Sequence, residues 1–344
     1  MQISTLSKTL SAFAALALLA GCSNNSAIAP KPVGLQSHSR VYMGHVPAVV
    51  GPLGALKIAY HASKRVSFNA CPATGTIEYV SDFNNSVIGI FKGRFAGQPP
   101  CGQLTSSSGL LDPQGLFVDT HDHLWVANTG SGNILEFKRG GTAAIKTFVD
   151  TTGGNSEFPV DVTVAKDGTV IATNIFAPNT GIGSISTWLP NGTLVGNFPN
   201  ANNLEDVFVT VQRNGTVYWD DNTPALWTGS CPAGACGAFT NTGATGFSGP
   251  GGLRSAAGED VVMNADKLDT WESFPGGPAQ SCILGSGSDG GPFDLNLLRT
   301  HVFYDDAVNG AAGEAHYPSC KPIGTVTLSG SLPIGIAVDD PEPL

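Results

Sequence analysis

The sequence predicts an all-β protein, a six-bladed β-propeller in which strands from the two ends of the repeating region complete one blade. Three observations predict this fold: a composition rich in turn-forming residues, an internal repeat of about 45 residues, and an incomplete repeat at each end. A repeat of about 45 residues supplies about four strands, which is the content of one propeller blade.

The composition favours strands joined by tight turns. The chain has 344 residues, of which 44 are Gly and 23 are Pro, while only 13% are charged. Gly and Pro form the turns between strands, so their abundance favours an all-β fold over a helical one. The formal net charge of −10 argues against nucleic acid as a partner, because binding to phosphates needs clustered Lys and Arg.

Six strand openings recur along the chain at intervals of about 41 to 46 residues. A second strand follows each of the first five openings, as in residues 124–128 and 170–174. Two of the intervening hairpins carry strong turn-forming pairs, Asp167-Gly168 and Asn214-Gly215. The openings begin at Pro113, Pro159, Leu204, Pro250, Pro292 and Pro333.

The two ends of the repeating region are complementary. Residues 333–340 form a first strand with no second strand after it, whereas residues 76–82 and 86–91 form second and third strands with no opening before them. Pairing these segments completes a sixth blade and removes an exposed sheet edge. A β-sandwich or a solenoid with spare strands at each end is the alternative fold.

The first 22 residues predict export as a lipoprotein. An apolar run over residues 10–19 is too short to span a bilayer, and it ends in Ala20-Gly21-Cys22. This ending resembles the lipobox of bacterial lipoproteins, which implies a lipid anchor on Cys22. The anchor is expected to hold the protein at the outer membrane. The alternative is an ordinary secreted protein. Residues 23–50 are predicted to be a flexible tether and residues 51–344 the propeller.

Six cysteines follow Cys22 in the chain. An even number in an exported chain favours three disulfides over a metal site, and no pair has the Cys-x-x-Cys spacing of zinc sites. Six cysteines allow about 15 connectivities. The repeat places four of them at the start of outer strands, which predicts a clip in one outer hairpin, a bridge in the closing blade and a bridge between neighbouring blades. The corresponding pairs are Cys231–Cys236, Cys71–Cys101 and Cys282–Cys320.

The repeat pattern resembles that of NHL-type propellers, most closely over residues 113–137 and then over residues 159–188. Similar repeats occur in the SMP-30/gluconolactonase family and in streptogramin-lyase-like propellers. The resemblance covers about residues 70–340. It implies the architecture alone, because unrelated functions share one fold and each function resides in particular residues.

The resemblance to these two enzyme families implies site residues that this chain carries only in part. SMP-30-type lactonases hold a divalent cation with carboxylate and Asn ligands at the strand openings. Streptogramin lyases use His and Glu with magnesium, and no His of this chain falls on an opening. His121 and His123 could bind a metal at the opposite end of the blade, but a solvated turn is favoured because no third ligand is identifiable. The residues at the lactonase ligand positions are Gln114, Val160, Glu205, Gly251, Phe293 and Ile334.

Four acidic residues form the predicted ligand-binding or cation-binding site. Because first strands line the channel, these residues are expected near one channel mouth, where they would bind Ca²⁺, Mg²⁺ or a ligand with ammonium groups. The alternative is a structural role, because Asp and Asn commonly cap turns. Three of the acidic residues also fall at the position of the repeat that is Gly in the other blades (Gly115, Gly252 and Gly335), and both Asp and Gly can adopt tight-turn conformations. The four are Asp161, Glu205, Asp206 and Asp294; Asp82, Asn128, Asn174, Asp221 and Asp305 are expected to ring the same face.

The leading functional hypothesis is a surface-anchored scaffold that binds an unidentified protein or small-molecule ligand at the channel mouth. It depends on the fold and on the incomplete catalytic ligand sets. The alternative is a metal-dependent lactonase or lyase that uses the acidic mouth. A third hypothesis is a purely structural component of the cell envelope.

Overall fold

The computed structural model describes the repeating region of the chain. The predicted signal peptide, Cys22 and the predicted tether lie outside the described residues. Within the described part, no helix is long and apolar enough to cross a membrane. The described residues are 71, 75–93, 99–152, 158–175, 182–202, 205–255, 260–265, 267–284, 291–296, 298–307, 309–328 and 332–340.

The described residues form six antiparallel sheets of four strands each, arranged in a ring as a six-bladed β-propeller. Blades 1 to 5 follow the chain from β4 to β23, and the closing blade has the strand order β24-β1-β2-β3. In chain order the strands are β1 (Ile77–Asp82), β2 (Val87–Lys92), β3 (Gly102–Leu104), β4 (Pro113–Val118), β5 (His123–Asn128), β6 (Asn133–Lys138), β7 (Lys146–Val149), β8 (Pro159–Val164), β9 (Val170–Asn174), β10 (Ser184–Trp188), β11 (Leu194–Pro199), β12 (Asp206–Val211), β13 (Thr216–Asp221), β14 (Leu226–Ser230), β15 (Gly237–Asn241), β16 (Gly252–Ser255), β17 (Val261–Asn264), β18 (Leu268–Trp271), β19 (Gln280–Cys282), β20 (Phe293–Leu295), β21 (His301–Asp306), β22 (Ala311–His316), β23 (Pro322–Thr327) and β24 (Pro333–Asp339).

The predicted closure of the ring is confirmed. Strand β24 pairs antiparallel with β1, and the register places Tyr79 opposite Ala337 and Ser81 opposite Gly335. The six openings identified in the sequence supply the inner strands β4, β8, β12, β16, β20 and β24, which contact one another around the ring. This arrangement excludes the sandwich and the solenoid, since every strand of the described residues belongs to one of the six sheets.

The hairpins between first and second strands form as their turn residues predict. In blade 2 the backbone N–H of Thr169 donates to Oδ1 of Asp167 at 2.9 Å, and Gly168 has a φ of +83°. In blade 3 the N–H of Thr216 donates to Oδ1 of Asn214 at 2.9 Å, again with a positive φ at the following Gly. The Asp or Asn closes the turn, and the Gly takes the left-handed conformation that other residues resist.

Aromatic side chains fill the spaces between blades. Phe148 of blade 1 lies between Trp125 and Trp188, with ring centroids 5.3 Å and 6.2 Å away. All three are buried, and Trp188 belongs to blade 2. Burying one such side chain contributes about 1.5–3 kcal/mol to stability, so these contacts join neighbouring sheets that share no hydrogen-bonded strand pair.

The three predicted disulfides are present in the structure. Cys71–Cys101 lies beside β3 in the closing blade, with a Cα–Cα distance of 4.9 Å. Cys231–Cys236 clips the turn between β14 and β15, with Cα atoms 3.9 Å apart. Cys282–Cys320 joins blade 4 to blade 5 with a Cα–Cα distance of 5.8 Å. All three lie near outer strands, where a covalent link limits fraying.

Replacing Ile336 with Ala is expected to destabilise the ring by about 2–5 kcal/mol, because the side chain is fully buried in the closing blade and its loss leaves a cavity. Urea unfolding measures the change. Ile283→Ala removes the same atoms from a residue that is 56% exposed, and it should change stability by less than about 0.5 kcal/mol. Equal effects of the two variants would contradict the closing role of β24.

Candidate functional site

The centre of the ring is occupied by the side chain of Arg254, which extends from β16 and is 6% exposed. Its Nη2 donates to the carbonyl oxygens of Leu116, at 2.8 Å, and Ile336, at 3.4 Å. Its Nη1 donates to the carbonyl oxygen of Leu253 at 2.7 Å. Leu116 and Ile336 lie on the inner strands of blade 1 and the closing blade. One guanidinium therefore links blade 4 to two other blades through backbone carbonyls.

Two of the four predicted acidic residues meet this guanidinium. Oδ1 of Asp294 in blade 5 lies 3.3 Å from Nε of Arg254, and Oδ2 of Asp161 in blade 2 lies 3.7 Å from Nη1. Each carboxylate also accepts a backbone N–H from the next blade, from Val338 at 2.9 Å and from Val209 at 3.2 Å. Since Val209 belongs to blade 3, the network reaches all six inner strands.

Burial and the arginine act in opposite directions on these carboxyls. Burial raises the pKa of Asp161 to about 6, while the Arg254 guanidinium and the N–H of Val209 lower it. Burial also raises the pKa of Asp294, again opposed by Arg254. Desolvation disfavours the charged carboxylate, and a nearby cation favours it. Two acids thus share one guanidinium in the centre of the ring, where a ligand cation had been expected.

Glu205 joins the beginning of β12 to the residue that follows β13. Its Oε2 accepts a hydrogen bond from Nδ2 of Asn222 at 2.9 Å, and its backbone oxygen accepts the N–H of the same residue at 3.0 Å. Both partners flank the ends of β12 and β13 at the face where the six inner strands begin, which we call the amino face. The structure therefore places Glu205 in a contact within blade 3.

Asp206 is out of register with Asp161, which corrects the sequence alignment. Asp206 pairs with Asp221 at the start of β12, in the place where Pro159 pairs with Asn174 in blade 2. The residue of β12 that corresponds to Asp161 is Phe208, two positions further on. The alignment takes its register from the openings, and Pro159 and Leu204 lie 45 residues apart. The hairpin glycines Gly168 and Gly215 lie 47 residues apart, which is the register that the structure shows.

The glycines in the same register are required by close approach of neighbouring backbones. A Cβ on Gly115 would lie 2.6 Å from Cα of Asp161, and one on Gly335 would lie 2.0 Å from the carbonyl oxygen of Gln114. Neither glycine has a positive φ. Their role is therefore to let inner strands of adjacent blades come together, and not to form the tight turns expected from the sequence.

The residues at the ends of the second strands mostly hold loops of their own blades. Asn128 accepts the N–H of Leu111 at 2.7 Å and donates to the carbonyl of Gly109 at 3.1 Å. Asp82 accepts the N–H of Leu332 at 3.2 Å. These contacts agree with the turn-capping interpretation. In the same group, Asp221 accepts the N–H of Thr223 at 2.7 Å, Asn174 donates to Oγ of Ser186 at 2.7 Å, and the N–H of Asp305 donates to the carbonyl of Pro292 at 3.1 Å.

Two residues of the central network, Arg254 and Asp220, are not among the site residues that the sequence predicts. Asp220 accepts the N–H of Phe208 at 2.8 Å and that of Gly251 at 2.7 Å, which joins blade 3 to blade 4. Burial raises the pKa of Asp220 well above its usual value. A signal for Arg254 was available, because it is the only Lys or Arg in the six strand openings. A lone cation on a strand facing the channel needs buried acceptors.

A buried carboxyl outside the central network lies between the closing blade and blade 5. Glu78 on β1 is fully buried, and among the described residues neither of its carboxyl oxygens has a hydrogen-bond partner. Glu314 on β22 is also buried and lies on the facing sheet. Burial, and to a lesser extent the charge of Glu314, raises the pKa of Glu78 to about 9. Glu78 is therefore neutral at pH 7, which lets it remain in an apolar environment.

No group of three His, Cys, Asp or Glu side chains in the described part of the chain is arranged to hold a metal ion. Of the four predicted acidic residues, Asp161 and Asp294 contact Arg254. Glu205 accepts a hydrogen bond from Asn222 within blade 3, and Asp206 lies at the start of β12. At the centre of the ring the chain's own guanidinium supplies the positive charge that meets Asp161 and Asp294.

The fold is similar to that of solved structures whose sequences are at most 15% identical to this chain. A chain of the nidogen/laminin complex has a TM-score of 0.59 and 12% identity, covering 77% of this chain and 98% of that one. A streptogramin B lyase has a TM-score of 0.54 and 13% identity, covering 78% and 85%. A gluconolactonase from Xanthomonas campestris has a TM-score of 0.49 and 15% identity, covering 67% and 83%.

The sequence matches no family model and no curated protein. At these identities the structural similarities establish the fold alone. The chain is a six-bladed β-propeller, and its fold neighbours include a streptogramin B lyase. Membership of the NHL-type or SMP-30-type families stays a prediction.

Replacing Arg254 with Met is expected to cost about 3–5 kcal/mol of stability, because it leaves two buried carboxylates without their cation. Urea unfolding of Arg254→Met beside Arg213→Met measures this; Arg213 lies on an exposed hairpin and should be neutral within about 0.5 kcal/mol. Adding Asp161→Asn and Asp294→Asn to Arg254→Met should recover part of the loss. If Arg254→Met loses no more stability than Arg213→Met does, Arg254 does not hold the blades together at the ring centre.

The free energy of unfolding is expected to fall as the pH rises from 4.5 towards 9, because the folded state holds Glu78 protonated across that interval while the unfolded state ionises it. Glu78→Gln cannot ionise, so its stability should vary less with pH and should exceed the wild-type value at pH 9. Glu272→Gln, at an exposed position, is the control and should follow the wild-type curve. Parallel curves of stability against pH for the wild type and Glu78→Gln would refute the raised pKa of Glu78.

Proposed function

We propose that this chain is a binding propeller, which presents the amino face of its ring to a protein or small-molecule partner. The proposal includes attachment at the outer membrane through the predicted lipid on Cys22. The observation that carries it is the position of Arg254, whose guanidinium fills the ring centre and engages Asp161 and Asp294. A closed centre leaves the outer surfaces of the ring for recognition.

The arginine argues against a divalent cation at the same place. Ca²⁺ takes about six to eight oxygen ligands, and Mg²⁺ takes six. Here Asp161 and Asp294 already bind the guanidinium and two backbone N–H groups. A second cation would have to displace Arg254 or lie beside its charge in a buried setting, where repulsion between like charges is poorly screened. Catalysis by a metal in the channel is therefore less well supported than binding.

The amino face offers a rigid surface for such a partner. Side chains at the ends of the second strands hold the loops that lead into the inner strands, as Asn128 does for residues 109–111. Loops positioned by a rigid scaffold are the usual carriers of binding residues. A chain of similar fold occurs in a complex of nidogen with laminin, which is consistent with a propeller that presents a surface to another protein.

Calorimetric titration of the wild-type chain with Ca²⁺ and Mg²⁺ separates binding from metal-dependent catalysis. No saturable heat and no shift of Tm are expected, because Arg254 supplies the central charge. Asp294→Asn is the matched variant. Saturable binding of either cation that is lost in Asp294→Asn would overturn the proposal and favour the lactonase or lyase hypothesis, as would hydrolysis of a simple lactone that depends on the added cation.

A further inference from the structure

The hairpin between β4 and β5 carries two histidines that the proposed function does not use. It lies at the opposite face of the ring, where the inner strands end, which we call the carboxyl face. The rings of His121 and His123 have centroids 6.3 Å apart. Oδ1 of Asp119 accepts the backbone N–H of both residues, at 2.8 Å and 3.0 Å, and its Oδ2 accepts Nε1–H of Trp125 at 2.9 Å. The backbone that carries the histidines is therefore fixed.

A buried carboxylate orients His123. Nδ1 of His123 lies 2.7 Å from Oε1 of Glu136, whose side chain is buried on β6. The other carboxylate oxygen lies 3.2 Å from Nζ of Lys146. A carboxylate only accepts hydrogen bonds, so Nδ1 carries the proton and Nε2 of neutral His123 carries the lone pair. Histidines that bind metals are oriented by carboxylates in this way.

We propose that His121 and His123 bind a transition-metal ion of the Zn²⁺, Ni²⁺ and Cu²⁺ class, with Nε2 of His123 as the oriented ligand. Imidazole suits these ions, whereas Ca²⁺ and Mg²⁺ prefer oxygen. Nitrogen–metal distances of about 2.1 Å place two rings on one ion with centroids about 5 to 6 Å apart. The exposed ring of His121 reaches this separation by a movement of about 1 Å.

The site leaves coordination positions open. No third His, Cys, Asp or Glu of the described residues completes a ligand group around this pair. Water therefore fills the remaining positions, as it does at the open position of catalytic zinc sites, and these waters can be exchanged for donor atoms of another molecule. The proposal goes beyond binding at the amino face, and it does not depend on it.

A second histidine pair provides an internal comparison. His301 and His316 lie opposite each other on β21 and β22, with ring centroids 5.4 Å apart. Nδ1 of His301 lies 3.0 Å from the hydroxyl oxygen of Thr300, a neutral partner. The ring centroids of this second pair are closer together than those of the first, so it is the competing place for a shared ion, and its replacement is the control that separates the two pairs.

The test is calorimetric titration of the untagged full chain with Zn²⁺ and Ni²⁺. One ion per chain is expected, with affinity lowered at least about tenfold in His123→Ala and lowered in His121→Ala. The double variant His301→Ala/His316→Ala should bind as the wild type does. Absence of saturable binding, or binding that survives His121→Ala/His123→Ala and is lost in the control, would overturn the proposal.

Glu136→Gln tests the positioning role of the carboxylate. It should weaken metal binding about 10- to 100-fold, and Glu136→Asp should recover part of the affinity. Ring ¹⁵N NMR of His123 gives a readout separate from affinity: Nδ1 should be protonated in the apo wild type, and Zn²⁺ should shift the Nε2 signal. Unchanged affinity in Glu136→Gln, with the apo ring protonated on Nε2, would refute the role of Glu136.

Discussion

The ring depends on one buried cation and the acceptors that converge on it. Arg254 carries a permanent charge in a site almost closed to water, so its N–H groups need carbonyl and carboxylate partners. Those partners come from Leu116, Asp161, Asp294 and Ile336, each on a different blade. They surround the guanidinium only when the ring is closed. The same pairing of β24 with β1 that seals the sheet edges therefore also completes the solvation of the arginine.

This constraint directs where function can lie. A propeller with an open, acidic channel could hold a metal ion at its centre. In this propeller the carboxylates at the centre of the ring bind the guanidinium of Arg254 instead. The surfaces that remain for binding are the amino face and the carboxyl face. At the carboxyl face, His123 and Glu136 form a pair that stands apart from the central network and has the geometry of an oriented metal ligand. The two faces can thus serve different roles on a common rigid support.

Errors in the sequence-based prediction of the site have a common origin. Turn residues and alternating apolar residues report local structure, so they located the strands and the ring closure. The position of a side chain around the channel depends on register, and the register taken from the openings differs by two residues from that of the structure in blade 3. Asp206 was therefore aligned with Asp161, although Phe208 holds that place. Arg254 was visible in the sequence but had no identifiable partners there.

The sequence by itself determined the all-β class, the six repeats and the blade shared by both ends, because each follows from periodic spacing along the chain. It predicted candidate disulfide pairs, and the tertiary structure decided that Cys282 pairs with Cys320 across two blades. Only the tertiary structure decided that Asp161 and Asp294 face Arg254. It also decided that Glu205 bonds to Asn222 and that Glu136 orients His123. The contacts of Asp161 and Asp294 with Arg254 join residues about 40 to 90 positions apart on different blades. A spacing rule describes neighbours within one blade, and it cannot describe which side chains meet where six blades converge.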